Sequence, residues 1–108
     1  MAAVDDDATS ARFEPCRDDA GECVLHVAGE VDLSNAPQLR RAIESMRVAN
    51  PARLVLDVRE LTFMDSSGLA VLLQAAAKLD ALVLRHAQSS IIRLIETTGV
   101  TSVLSVEP

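Results

Sequence analysis

The sequence predicts an α/β domain, a mixed and mostly parallel sheet of about five strands covered by helices, formed as one unit over residues 11–108. Three observations carry that expectation. Short apolar runs alternate with stretches of helical periodicity, the pattern that parallel strands and crossover helices leave in a chain. The first two runs are instead joined by a short polar turn, which supplies one antiparallel hairpin. At 108 residues, 49% hydrophobic and 24% charged, the chain is long enough for one core and too short for two.

Aromatic residues make up 2% of the chain, with neither Trp nor Tyr, so the core must be aliphatic and no platform exists for stacking bases or sugars. A net charge of -6 argues against nucleic acid, whose phosphates are held by Lys and Arg, and favours a basic partner. No apolar run reaches the length of a membrane span, and Asp5-Asp6-Asp7 replaces the basic start of a signal peptide. The expected location is the cytoplasm, with no membrane partner. Residues 1–10, small and acidic, read as a disordered N-terminal arm.

Residues 11–16 and 22–28 form the hairpin around Arg17-Asp18-Asp19-Ala20-Gly21-Glu22. Cys16 and Cys23 flank that turn, spaced neither as a redox pair nor as half of a zinc site. Facing each other across two strands they could bridge, but in a reducing compartment two half-buried free thiols are the expected state. His26 lies in the second strand without a ligand or carboxylate at useful spacing, and reads as a surface residue. Gly29-Glu30-Val31-Asp32-Leu33-Ser34-Asn35-Ala36-Pro37 is a polar loop whose Asn35 and Pro37 suit a helix opening. Leu39, Ala42, Ile43 and Met46 then recur at helical steps until Asn50-Pro51.

Arg53–Val58 reads as a central strand buried on both faces, because its apolar residues are nearly continuous. Leu61-Thr62-Phe63-Met64 is strand-like and stops at Asp65-Ser66-Ser67-Gly68, where a helix begins with Leu69, Leu72, Leu73, Ala76 and Leu79 along one stripe. Its other face carries Ala70, Val71 and Ala77 around Gln74 and Lys78. A helix apolar nearly all round is deeply buried or offers a patch to a partner, and the partner reading is the one adopted. Ala81–Arg85 is the next strand, Ser89 the expected cap of a helix facing the core with Ile91, Leu94 and Ile95, and Gly99 its left-handed end before Val100. Residues 102–106 form the last strand.

Ser66 and Ser67 stand where a helix N-terminus presents unpaired N–H groups, so a serine here is either an ordinary cap or a hydroxyl placed to carry phosphate. Enzymatic readings fail on their own requirements. No G-x-S-x-G elbow surrounds either serine, the four glycines form no phosphate-binding loop, and Asp57 lacks the acidic pair and lysine of an aspartate phosphorelay. The protein is expected not to be an enzyme and to need no cofactor or metal.

Phe63-Met64-Asp65-Ser66-Ser67-Gly68-Leu69, with Gly29-Glu30-Val31-Asp32 upstream and Thr98-Gly99-Val100 near the end, resembles the bacterial anti-sigma factor antagonists of the STAS (sulfate transporter and anti-sigma factor antagonist) family. The resemblance runs from about Cys23 to Val106 and implies a STAS-like fold. It implies that Ser66 is the phosphoacceptor of an anti-sigma factor that is also a serine kinase of the histidine-kinase-like ATPase fold. The unphosphorylated protein would bind that anti-sigma factor and free a sigma factor, and a serine phosphatase would reset the phosphorylated form.

Partner contacts are expected from Asp32, Asp65, Ser66, Ser67 and Gly68, extended by Val71, Gln74 and Lys78 on the following helix. Within the motif, Ser67 is assigned the capping role and Asp65 the ordering of the loop, with amides around Gly68 and Leu69 available to an anion. Gly68 would also give a kinase access to the hydroxyl. The alternative is a stand-alone STAS scaffold or small-ligand-binding module without phosphorylation control. The sequence departs from the family in the short Lys78-Leu79-Asp80-Ala81 connection, which lacks a glycine pair. It also ends at Pro108, where relatives commonly add a helix, so part of the usual sheet cover is expected to be missing.

Overall fold

A computed structural model describes residues 11–99 and 104–107. The arm at residues 1–10, Val100 and the start of the last expected strand lie outside the described residues. The elements run β1 (Ala11–Arg17), β2 (Cys23–Val31), α1 (Ala36–Arg47), β3 (Arg53–Asp57), β4 (Leu61–Met64), α2 (Ser66–Ala76), β5 (Ala81–Arg85), α3 (Ser89–Thr98) and β6 (Ser105–Glu107). Among the described residues no helix is long and apolar enough to cross a membrane.

The sheet has six strands in the order β1-β2-β3-β5-β6, with β4 paired to β2. Among the described residues only β1 is antiparallel, as the hairpin predicts; the other pairings are parallel. Strand β2 is the organising strand, since its nine residues outlast any one partner. Along the edge opposite β1 it pairs first with β3, through Cys23–His26, and then with β4, through Gly29, Glu30 and Val31. Between them the chain turns at Val58-Arg59-Glu60, where the Leu61 N–H donates to Val58 O (3.1 Å) and the Gly29 N–H to Glu60 O (2.9 Å). The run before the serines is thereby a sixth strand in its own right, which places the motif at the far end of β2.

Alternation in the strands separates two layers. Leu25, Leu54, Leu56, Leu82 and Leu84 face Leu39 and Ile43 of α1, Leu69 and Leu72 of α2 and Ile91 and Ile95 of α3, all in one core. The intervening Val24, Val55 and Val83 form a separate buried trio on the opposite face. Among the described residues, charged side chains and not a helix line that second face. Arg85 reaches Asp18 (3.3 Å), Glu22 (3.3 Å) and Glu107 (3.4 Å), and Arg53 reaches Glu107 (3.0 Å) and Glu22. The arginine stems are apolar, so each can shield a valine while its guanidinium stays among carboxylates.

Residue placement corrects two expectations. Cys16 pairs with Val24 and Cys23 with Arg17, so the thiols are one step apart on opposite faces of the ribbon. Both are free, Cys16 exposed and Cys23 partly buried, and the strand register rules out the facing arrangement a bridge needs. Ser89 is the first residue of α3; Gln88 holds the cap position and sends its side chain to Arg59 O (3.0 Å). Gly99 does end α3 in the left-handed conformation (φ 74°), and His26 is exposed beside Asp57 (3.6 Å).

The ion layer sets an acid sensitivity. Asp18 is held below its ordinary range first by the Glu22 N–H and also by Arg85, and Glu107 chiefly by the Arg53 hydrogen bond. A depressed carboxylate contributes stability that is present at neutral pH and lost as pH falls through its folded value. Urea midpoints should therefore drop below about pH 4, and Arg85→Met should flatten that drop. An equally steep acid limb in Arg85→Met would show that the Arg85 ion pairs do not contribute to it, leaving the Glu22 N–H at Asp18 and Arg53 at Glu107 as its source.

Candidate functional site

The site is built where β2 and β4 end side by side. The Asp65 N–H donates to Val31 O (3.1 Å), carrying the strand ladder one step past Met64 and laying the start of α2 beside the loop after β2. Asp65 itself is extended (φ -98°, ψ -172°) and is the N-cap of α2. Its Oδ1 accepts from the Ser67 N–H (2.8 Å) and the Gly68 N–H (3.3 Å), and its carbonyl accepts from Leu69 (3.1 Å). The capping role assigned to Ser67 therefore belongs to Asp65, because a carboxylate one residue earlier reaches both amides. Those amides are already occupied and are not free for another anion.

Ser66 is left as the first helical residue, exposed, and its hydroxyl makes no hydrogen bond among the described residues. Ser67 is half-buried. A hydroxyl that satisfies no neighbour and faces water is chemically available, whereas its neighbour is partly screened.

Gly68 is buried and turned inward. A Cβ there would lie 2.6 Å from Met64 Cγ and 2.8 Å from Val31 Cγ1, so the first turn of α2 can rest on β2 and β4 only with glycine at this position. This is a packing role, and the expected partner contact at Gly68 is corrected accordingly. Val71 is corrected for a similar reason: it is buried, lining with Ile43 the cleft where α1 meets α2. Leu69, Leu72 and Ala75 are buried as well, so α2 is largely interior rather than an apolar patch awaiting a partner.

What α2 does expose is a narrow line, Ser66, Ala70, Gln74 and Ala77, at steps of four and three residues. Gln74 is thus at the surface as expected. Lys78 is exposed too, but its Nζ is 3.5 Å from Glu44 Oε2 of α1, which ties it back to the domain.

Asp32 opens the loop on the other side. Its Oδ1 accepts from the Ser34 N–H (2.9 Å) and hydroxyl (2.6 Å), and the Ser34 side chain is the leading cause of its lowered pKa. Asn35, which the sequence marks only as a helix opening, is the buried polar residue that fixes this loop. Its Oδ1 accepts from the Asp32 N–H (3.0 Å) and its Nδ2 donates to Glu30 O (2.9 Å). The structure thus brings Asp32, Asp65, Ser66 and Ser67 to one end of the sheet and sets Gln74 and Lys78 further down α2. Two surface residues escaped the sequence reading: Leu33 and Phe63, large apolar side chains that are 76% and 48% exposed. The available signal was a leucine set inside a polar turn and a phenylalanine just before the cap.

A family model described as "Mlab, STAS domain" matches residues 16–105. The chain belongs to the STAS domain family. Among curated relatives, the anti-sigma-B factor antagonist of Listeria monocytogenes is 33% identical over 87 residues, covering 77% of this STAS chain and 76% of its own. The anti-sigma-F factor antagonist RsfB of Mycobacterium tuberculosis is 37% identical over 62 residues, covering 57% and 51%. Among solved structures, an anti-sigma factor antagonist from Mycobacterium paratuberculosis superposes with a TM-score of 0.84 at 28% identity, over 93% of this chain and 87% of that one. The antagonist SpoIIAA in its unphosphorylated form shares the fold, with a TM-score of 0.73 at 19% identity over 88% and 87% of the two chains.

The fit at Gly68 is directly testable. Gly→Ala inside a helix ordinarily gains about 1 kcal/mol, whereas overpacking costs about 1–3 kcal/mol. Because one of the obstructing groups is a stiff β-branched valine, overpacking should win. Gly68→Ala is expected to lower the unfolding free energy in urea by up to about 2 kcal/mol. A stabilised variant would mean that α2 does not sit this close to β2.

Proposed function

We propose that this STAS domain is an anti-sigma factor antagonist whose binding is switched by phosphorylation of Ser66. The observation that carries this reading is the division of labour at the start of α2: Asp65 caps the helix, and Ser66 is exposed with an uncommitted hydroxyl. The naming of the Listeria and Mycobacterium relatives as antagonists supports the same reading.

In the unphosphorylated state the end of the sheet holds an anti-sigma factor, and a sigma factor is released. That anti-sigma factor is also the serine kinase, of the histidine-kinase-like ATPase fold, and supplies both ATP and the general base; the domain itself is a substrate and not an enzyme. Asp32, Asp65, Ser66, Ser67 and Gln74 face the partner, with Lys78 at the margin. Gly68 and Val71 act from the interior by holding α2 in place.

Phosphorylation adds roughly −1.5 to −2 charge units. The new group stands next to Asp65, with Asp32 on the adjoining loop, and Asp65 already occupies the Ser67 and Gly68 amides. The helix end therefore offers the phosphate little compensation beyond the Ser66 amide, and the dianion must be accommodated in the contact surface with its water. Binding is lost until a serine phosphatase removes the group. The cycle belongs in the cytoplasm, where sigma factors act.

The test uses phosphorylation and binding together. With a cognate anti-sigma kinase and ATP, wild type should gain one phosphate that peptide mass spectrometry places on Ser66. Ser66→Ala should take none and remain bound, and Ser66→Asp should bind at least about tenfold more weakly, a difference of roughly 1.4 kcal/mol. Equal labelling of Ser66→Ala and wild type would falsify the assignment to Ser66. A domain that folds but neither binds nor is phosphorylated by any anti-sigma kinase of its host would instead be a scaffold or ligand-binding STAS module.

A further inference from the structure

The start of α1 asks nothing of the side chain at its cap. Asn35 holds the N-cap position, yet its side chain makes no bond to the helix. The Ala36 N–H donates to Asp32 O (2.8 Å), Pro37 has no N–H, and the Gln38 and Leu39 N–H groups donate to the Asn35 carbonyl (2.9 and 3.2 Å). An asparagine that is 5% exposed and caps nothing must place its amide elsewhere.

That place is the end of β2. Neighbouring residues of a strand turn their backbone groups to opposite edges. Val31 O faces β4, where it accepts from the Asp65 N–H (3.1 Å). Glu30 O and the Asp32 N–H face the other edge, past Gly29, the last β2 residue paired with β1 among the described residues. Asn35 takes both of them: its Nδ2 donates to Glu30 O (2.9 Å) and its Oδ1 accepts from Asp32 (3.0 Å). One primary amide thus stands in for a strand at that edge. The pair needs a donor and an acceptor side by side; aspartate has the shape without the donor, and a serine hydroxyl offers one atom in place of two.

Asp32 is then fixed twice, by Asn35 at its backbone and by the Ser34 N–H (2.9 Å) and hydroxyl (2.6 Å) at its Oδ1. Its Oδ2 accepts no hydrogen bond among the described residues. Segment Glu30-Val31-Asp32 therefore supports both halves of the site, with Asn35 on one edge and Asp65 on the other.

We infer, on the antagonist reading, that Asn35 and Ser34 are positioning residues for partner binding: through Asp32 they hold one free carboxylate oxygen in fixed relation to Ser66, for an N–H donor of the anti-sigma factor. A carboxylate oriented before the encounter loses less freedom on binding, so releasing it weakens the complex. Ser66 is presented by Asp65 from the opposite edge, so the two halves of the site respond separately.

Each anti-sigma kinase of the host, purified, is titrated onto wild type, Asp32→Ala, Asn35→Ser, Ser34→Ala and the two double variants that add Asp32→Ala, and Ser66 phosphorylation is followed in parallel. Asn35→Ser and Ser34→Ala should each weaken binding, the first by about tenfold. Both should raise KM for phosphorylation and leave kcat within about twofold of wild type. In the Asp32→Ala background neither should weaken binding further, because both act through that carboxylate. Ser34 is exposed, so Ser34→Ala should keep the fold, and Asn35→Asp replaces Asn35→Ser if the smaller side chain does not fold. Unchanged affinity in a single variant would overturn the role of that residue. Losses that add in full to that of Asp32→Ala, or an Asp32→Ala variant that binds as wild type does, would overturn both positioning roles and leave the antagonist reading standing. Wild type that binds none of the kinases would overturn the antagonist reading itself.

Discussion

The structure depends on the way Asp65 joins strand to helix. Its backbone N–H extends the β2–β4 ladder to Val31 O, and its carboxylate closes the first turn of α2 at Ser67 and Gly68. One residue thus belongs to both elements, so the direction of α2 is fixed relative to the sheet. The absence of a Cβ at Gly68 then lets that first turn settle on Val31 and Met64. Ser66, the residue between the cap and the glycine, is held at the surface by everything around it while contributing nothing to that framework. A side chain free of structural duty can be modified without unfolding its surroundings.

The same economy appears in the sheet. Among the described residues, the three helices pack on one face, which leaves Val24, Val55 and Val83 to be covered on the other by Arg53, Arg85 and the carboxylates of Asp18, Glu22 and Glu107. Arg85 links the β1–β2 turn to the last strand, so the charged layer also ties the antiparallel hairpin to the far edge of the sheet. Each of its pairs is partly exposed, and such pairs are individually weak; their value lies in sharing two guanidinium groups among three carboxylates while screening apolar surface.

Function divides along similar lines. The loop after β2 and the start of α2 bring Asp32, Asp65 and Ser66 together at one end of the sheet. Under the proposed switch, a phosphate on Ser66 would act on charge and hydration at once, with no need for the fold to move. Residues deeper in α2, Val71 among them, support that surface by packing against α1.

The sequence by itself determined the class of fold, the hairpin, the central buried strand β3 and the Gly99 helix end, because each is written in local periodicity or in one residue's backbone preference. It also marked Asp65-Ser66-Ser67-Gly68 as a junction of strand and helix. Only the tertiary structure decided which residue caps α2, since Asp65 and Ser67 are both competent caps and the choice turns on where Val31 holds the backbone. It decided that Cys16 and Cys23 point apart, because a register is a property of two strands and not of either one. It decided as well that Val71 is interior and Leu33 exterior. Hydrophobicity alone states that a side chain would gain by leaving water, and only the arrangement of neighbouring elements states whether there is anywhere for it to go.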